Sequence, residues 1–132
     1  MPPLEVAMRF VALINAHDPE RIAALLTRDH KFIDSLGAEY YGRDTLIEAW
    51  RQYLGMVPDY QIDITRSFCE GSEVVLLGAA RGTYTADGVL DSANAWSTPA
   101  AFRAIIRDEL VSEWQVYADN EPIRQRMRES SS

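Results

Sequence analysis

The spacing of apolar residues changes once along this chain, near Gly55, and that single change limits the fold more than any motif does. Up to it the period is helical. From Leu4 to Ala16 the residues Leu4, Ala7, Met8, Val11 and Ile14 return at three- and four-residue steps, with Phe10 and Leu13 widening the stripe, so one broad face of a helix is buried. Asp18, Pro19 and Glu20 then supply a side-chain cap, a preset first turn and a charge suited to the positive end of a second helix, which ends near Thr27. The run RDTLIEAWRQYLG predicts a third helix capped by Asp44, with Leu46, Ile47, Trp50, Tyr53 and Leu54 on one face and Gly55 and Pro58 closing it. Between the second and third helices, KFIDSLG reads as a short strand and the stretch holding Gly37 and Gly42 as a loop.

Beyond Gly55 the period is two. Tyr60, Ile62, Ile64 and Phe68 alternate with Gln61, Asp63, Thr65 and Ser67, the pattern of a half-buried antiparallel strand. Gly71-Ser72 makes a tight turn, EVVLLGAARGTYT a second strand, and Asp87-Gly88 a hairpin signal; Ser97 to Arg107 and Leu110 to Tyr117 are two long strands turned at Asp108-Glu109. GAARG, inside a strand pattern, marks a place where the sheet bends or a neighbour comes close. ADNEPIRQRM can form a capped helical turn. The expected architecture is a single α+β domain over residues 1–128, followed by a disordered polar tail at 129–132. A long twisted sheet that follows its helices can curl over them and leave a cavity whose mouth carries the aromatics of the third helix.

Bulk properties narrow the function. A chain of 132 residues buries about two-thirds of its unfolded surface around one core, and no apolar run approaches the roughly 20 residues that cross a bilayer. MPPLEVAMRF has no basic segment leading into an apolar one, so no secretion signal is read and the cytoplasm is the expected compartment. Cys69 stands alone, which excludes an internal disulfide and a thiolate cluster within one chain. The formal charge of -7 repels phosphate backbones, and the one basic cluster, Arg124, Arg126 and Arg128, sits in a short terminal segment, so nucleic acid is not an expected partner. His17 and His30 belong to no spaced ligand motif, and no phosphate-cradling loop or nucleophile elbow is present; neither a metal nor another cofactor is expected.

What remains is Asp34 with the rings of Tyr40, Tyr41, Trp50, Tyr53, Trp96 and Trp114, a set suited to a small organic ligand. Asp34 has two readings. It is a strand-end acid whose side chain bonds the backbone of the turn at Ser35-Leu36-Gly37, or a carboxylate that faces a cavity and moves a proton. His30, on the same strand face as Phe32 and Asp34, could support it by a hydrogen bond, or be a plain strand residue.

The order FVALINAHDPERIAALL, FIDSLGAEYYGRDTLIEAW, then a meander ending EWQVYADN resembles the SnoaL-like division of the nuclear transport factor 2 superfamily, with ketosteroid isomerases, polyketide cyclases and limonene-epoxide hydrolases among its relatives. The resemblance implies a cone-shaped, cystatin-like roll: helices packed into a curved, mainly antiparallel sheet around an apolar pocket. It also implies homodimers, paired through the outer face of the sheet, and a small apolar molecule as partner. Asp34 falls where the isomerases keep their general base. Their helix-one tyrosine is matched by Phe10, and their later-strand acid falls near Phe102 and Arg103, so an enolate lacks its main stabiliser unless Tyr53, Tyr41, Arg103 or a tryptophan N–H takes that role. The acids an epoxide hydrolase needs are absent at Val116, Ala79 and Thr83. A cyclase needs one acid and a shaped pocket, although its acid sits on a later strand. The resulting candidate set is Asp34 as base, with Trp50, Tyr53, Tyr41, Trp96, Arg103 and Asp119 around the ligand; Asp119 is equally explained as a helix cap. The same cone could also hold a ligand, or its own side chains, without doing chemistry.

Overall fold

The computed structural model describes residues 1–130. α1 (Pro3–Asn15) buries Val6, Ala7, Phe10, Val11 and Ile14, the stripe its periodicity predicts. Asp18 caps α2 (Pro19–Ala24), accepting a hydrogen bond from the Arg21 amide at 3.2 Å. α2 stops short of Thr27, because the Leu25 carbonyl accepts from the Val111 amide at 2.8 Å and the chain is drawn into β1 (Leu26–Ile33). Asp34 therefore follows the strand instead of lying within it. β2 (Glu39–Tyr41), three exposed residues read from sequence as loop, pairs antiparallel with β1.

Gly42, at φ 96°, precedes α3 (Arg43–Met56) and no side chain caps it; Asp44 lies inside the first turn, where its charge still favours the positive helix end. Leu46, Trp50 and Leu54 are its buried residues. β3 (Gln61–Glu70), β4 (Glu73–Thr83), β5 (Ala95–Arg107) and β6 (Leu110–Ala118) form the antiparallel meander. Both residues of the Asp108-Glu109 turn have positive φ, 54° and 63°, as a two-residue hairpin turn of type I′ requires. The β4–β5 connection is longer than a hairpin: Thr85 Oγ1 accepts from the Gly88 amide at 2.9 Å, and a 3₁₀ turn at Ser92–Asn94 follows.

The six strands make one sheet in the order β2-β1-β6-β5-β4-β3, with β1 parallel to β6 and every other pair antiparallel. The sheet bends at a register shift between Ile64 and Arg66, opposite Gly78. A Cβ on Gly78 would lie 1.8 Å from the Asp63 carbonyl oxygen, so only glycine lets the strands meet there. The bulge also ends the alternation of β3, which leaves Phe68, predicted to face inward, 47% exposed.

α4 (Glu121–Ser130) is longer than the predicted turn and seats Ile123 in the core. It runs two residues into the stretch expected as a tail; residues 131–132 of that stretch lie outside the described residues. The architecture is α+β, with helices packed on one face of a curved, mainly antiparallel sheet. Phe10 of α1 meets Trp114 of β6 and Trp50 of α3 at ring-centroid distances of 4.8 and 6.3 Å, and Phe102 stacks on Trp114 at 5.2 Å.

Candidate ligand pocket

Between α3 and the inner face of the sheet lies a cavity of about 410 Å³. Its walls follow from the two periodicities. On α3 the residues Leu46, Ala49, Trp50, Tyr53 and Met56 recur at three- and four-residue steps and face it together; on β5 and β6, Phe102, Trp114 and Val116 reach it from the inner side of each pleat. Phe32, Tyr40 and Tyr60 complete the aromatic lining, and Asp34, Ser35, Gln52 and Asn120 supply the remaining polar groups. No Lys, Arg or His lines it, so among the described residues Asp34 is its one carboxylate and has no cation beside it.

Asp34 both bonds the turn and lies in the cavity wall. Its Oδ1 accepts from the Leu36 and Ala38 amides, each at 2.9 Å, which makes it the knot of the turn leading into β2. Oδ2 accepts only from the Tyr40 hydroxyl, at 3.3 Å, and the half-buried side chain lies in the cavity wall. His30 does not support it. Fully buried, His30 places Nδ1 2.7 Å from the Val111 carbonyl, so that nitrogen carries the hydrogen, and burial pushes the imidazole below its usual pKa.

Of the other predicted residues, Trp50 and Tyr53 line the cavity and four do not. Tyr41 is 59% exposed with the Lys31 ammonium 6.0 Å from its ring centroid, since neighbours on a strand face opposite ways and Tyr40 takes the inner side. Arg103 stands on the outer face beside inward Phe102, ion-paired with Glu73 and Glu113. Asp119 accepts from the Glu121 amide at 2.9 Å and caps α4, while its neighbour Asn120 lines the cavity and donates to Ser35 Oγ at 2.7 Å. Trp96 is buried core, 6.1 Å from the Tyr60 ring, and lies behind the wall.

Tyr60 is one of the lining residues that sequence reasoning missed as site residues, because it opens the alternation of β3 and reads as core. The corner after α1 holds it in place. His17 Nε2 lies 2.6 Å from the Tyr60 carbonyl, and the Asn15 side chain both donates to the Ile62 carbonyl at 2.9 Å and accepts from its amide at 2.8 Å. His17 is therefore a tie between the helices and β3. Among the described residues no three His, Cys, Asp or Glu side chains gather into a metal-holding group, and no helix is long and apolar enough to cross a membrane.

Comparison with known proteins agrees with this architecture. A family model described as a SnoaL-like domain matches residues 7–114. The fold is similar to that of two candidate SnoaL-like polyketide cyclases, from Shewanella putrefaciens (18% identity, 98% of this chain and 88% of the other, TM-score 0.80) and Shewanella denitrificans (16%, 96% and 97%, 0.81). It is also similar to a hypothetical protein of ketosteroid isomerase-like fold from Catenulispora acidiphila, solved in complex with trimethylamine (18%, 92% and 91%, 0.78). At such identities the likeness speaks for the fold. No curated protein is similar enough to match the chain.

Proposed function

The chain belongs to the SnoaL-like domain family, and on that footing we propose that its pocket binds a small apolar carbonyl compound on which Asp34 moves a proton, as an isomerase or cyclase would. One observation carries this reading: a lone carboxylate, one oxygen held by backbone amides and the other free of them, lies in a wall otherwise made mostly of rings and aliphatic groups. In such a pocket Asp34 takes a proton from the carbon next to the carbonyl. The C–H electron pair becomes a C=C bond and the carbonyl pair moves onto oxygen; in a substrate with a β,γ double bond, the resulting dienolate re-forms its carbonyl as the carboxylic acid returns the proton at the γ carbon, with no net oxidation. The names of the Shewanella proteins support the class of reaction without fixing the substrate.

A second reading has its own observation. Oδ1 of Asp34 is committed to the turn, so the residue earns its place structurally, and the same cavity would serve a non-catalytic binder of apolar ligands. Proton exchange separates the two. Bound 2-tetralone in D2O should gain deuterium next to its carbonyl faster with the wild type than with Asp34→Asn. Equal rates with retained binding leave the binder reading standing. We include in the proposal a homodimer through the outer face of the sheet, where Tyr117 is 53% exposed; light scattering that reports the 14.9 kDa monomer at micromolar concentration would contradict it.

A further inference from the structure

Two hydroxyls in the pocket wall do no work inside the protein. Tyr53 and Tyr60 meet edge to face with ring centroids 5.0 Å apart, both line the cavity, and neither hydroxyl has a hydrogen-bond partner among the described residues. Tyr60 is only 7% exposed. Tyrosine buried to this extent normally satisfies its O–H, so an unpaired pair opening on a cavity marks the place where something else supplies the acceptor. Burial raises the pKa of both phenols, which keeps them neutral donors at physiological pH.

The remaining polar groups of the wall are spoken for or lie at the rim. Tyr40 donates to Asp34, Asn120 donates to Ser35, Gln52 is exposed, and the Trp50 indole nitrogen is covered. Phe10 has no hydroxyl and is not in the lining. Tyr60, by contrast, is fixed through its backbone: its amide donates to the Val57 carbonyl at 3.0 Å, and its own carbonyl is tied to His17. A donor pinned in this way loses little freedom when an acceptor arrives, as a pre-organised site requires.

We propose that the hydroxyls of Tyr53 and Tyr60 form a two-donor cradle for one oxygen of the ligand, a ketone, enolate or phenolic oxygen, and so set which apolar molecules the pocket accepts. The inference rests on the pocket reading above and adds to it the functional group that is recognised. A hydrocarbon of the same shape leaves both hydroxyls unpaired and binds less well. An oxygen that gains negative charge during proton transfer binds more tightly than the neutral ketone, which gives the pair a share in any enolisation at this site.

The test uses the full chain and two probes of one bicyclic skeleton, 1-tetralone and tetralin, the second lacking the oxygen. Calorimetry on the wild type should show the ketone preferred by about tenfold or more, the ratio that one well-made hydrogen bond supplies. In Tyr60→Phe and Tyr53→Phe the preference should shrink towards unity while tetralin affinity stays as it was. The infrared carbonyl stretch of bound 1-tetralone should sit below its value in an apolar solvent and return towards that value in Tyr60→Phe; retained tetralin affinity shows that the variant pocket is folded, and Tyr53→Phe gives a second, independent variant. Equal affinity for the two probes in the wild type, or a preference that survives the double variant, overturns the cradle and leaves the pocket standing. Failure of both probes to bind counts against the pocket reading itself and removes the cradle with it.

Discussion

Phe10 packs edge to face against Trp114 with ring centroids 4.8 Å apart, both side chains almost sealed from solvent at 0% and 1% exposure. Phe10 is fully buried and does not line the cavity, so a hydroxyl added there is expected to meet packed core. Phe10→Tyr should therefore cost about 1–3 kcal/mol, the penalty of burying an unpaired polar group. A urea titration checks it. Unchanged stability together with a gain in ketone affinity would place the helix-one position in the pocket after all.

Asp34 should show different dependence on charge and on shape. Asn at this position keeps an oxygen that accepts from the Leu36 and Ala38 amides, whereas Ala leaves both donors without it. Asp34→Asn, which keeps both amide bonds, is expected within about 1 kcal/mol of the wild type, and Asp34→Ala, which leaves both amides without their acceptor, about 1–3 kcal/mol less stable. Any proton transfer should be lost in both. Denaturant midpoints beside deuterium exchange distinguish the turn from the chemistry; activity that survives in Asp34→Asn removes the residue from the mechanism.

His30 gives the fold a pH dependence that can be isolated. Burial holds its folded pKa below the ordinary 6.5, against the opposing pull of the Val111 carbonyl, Glu113 and Asp29. As pH falls through 6.5 the unfolded chain takes up a proton that the folded chain refuses, so stability is full above that pH and declines below it, until the folded pKa is reached. The slope is at most about 1.4 kcal/mol per pH unit from this one group. His30→Gln can still donate to the Val111 carbonyl but does not titrate. Between pH 7.5 and 5 the wild type should lose more stability than the variant; parallel profiles would mean that His30 is not the titrating group.

The local elements were legible because they depend on near neighbours: Asp18 before Pro19 announces α2, and Asp108-Glu109 announces the β5–β6 turn. What depends on distant partners was not. Leu26 and Thr27 read as helix until β6 captures them, and β2 exists only because β1 lies beside it. At the pocket the misses have a common form. Tyr41, Arg103 and Asp119 each lie one residue from a true lining residue, Tyr40, Phe102 and Asn120. Composition located the right stretches. At Tyr40-Tyr41 and Phe102-Arg103, which of two adjacent residues faces inward is fixed by strand register, set by pairing that no local window contains; beyond β6 the cap of α4 takes Asp119 and leaves Asn120 to the cavity.

Gly78 and Gly55 offer a paired test of the bend that shapes the pocket. A Cβ on Gly78 would come 1.8 Å from the Asp63 carbonyl oxygen, and that atom is backbone, so relief requires β3 to move away from β4 where the register shifts. Gly78→Ala should destabilise by about 1–3 kcal/mol, as overpacking does. It should also weaken ligand binding, since Ile64 and Ile62 lead back along β3 to the wall residue Tyr60. Gly55 lies exposed in α3 with nothing within 4 Å of its Cβ position, so Gly55→Ala should stabilise by about 0.5–1 kcal/mol through helix propensity alone. Both changes add one methyl group, and only the strand site has a neighbour to displace. Opposite signs in a thermal melt are expected, and a neutral Gly78→Ala would show that β3 can part from β4 at the bulge without loss.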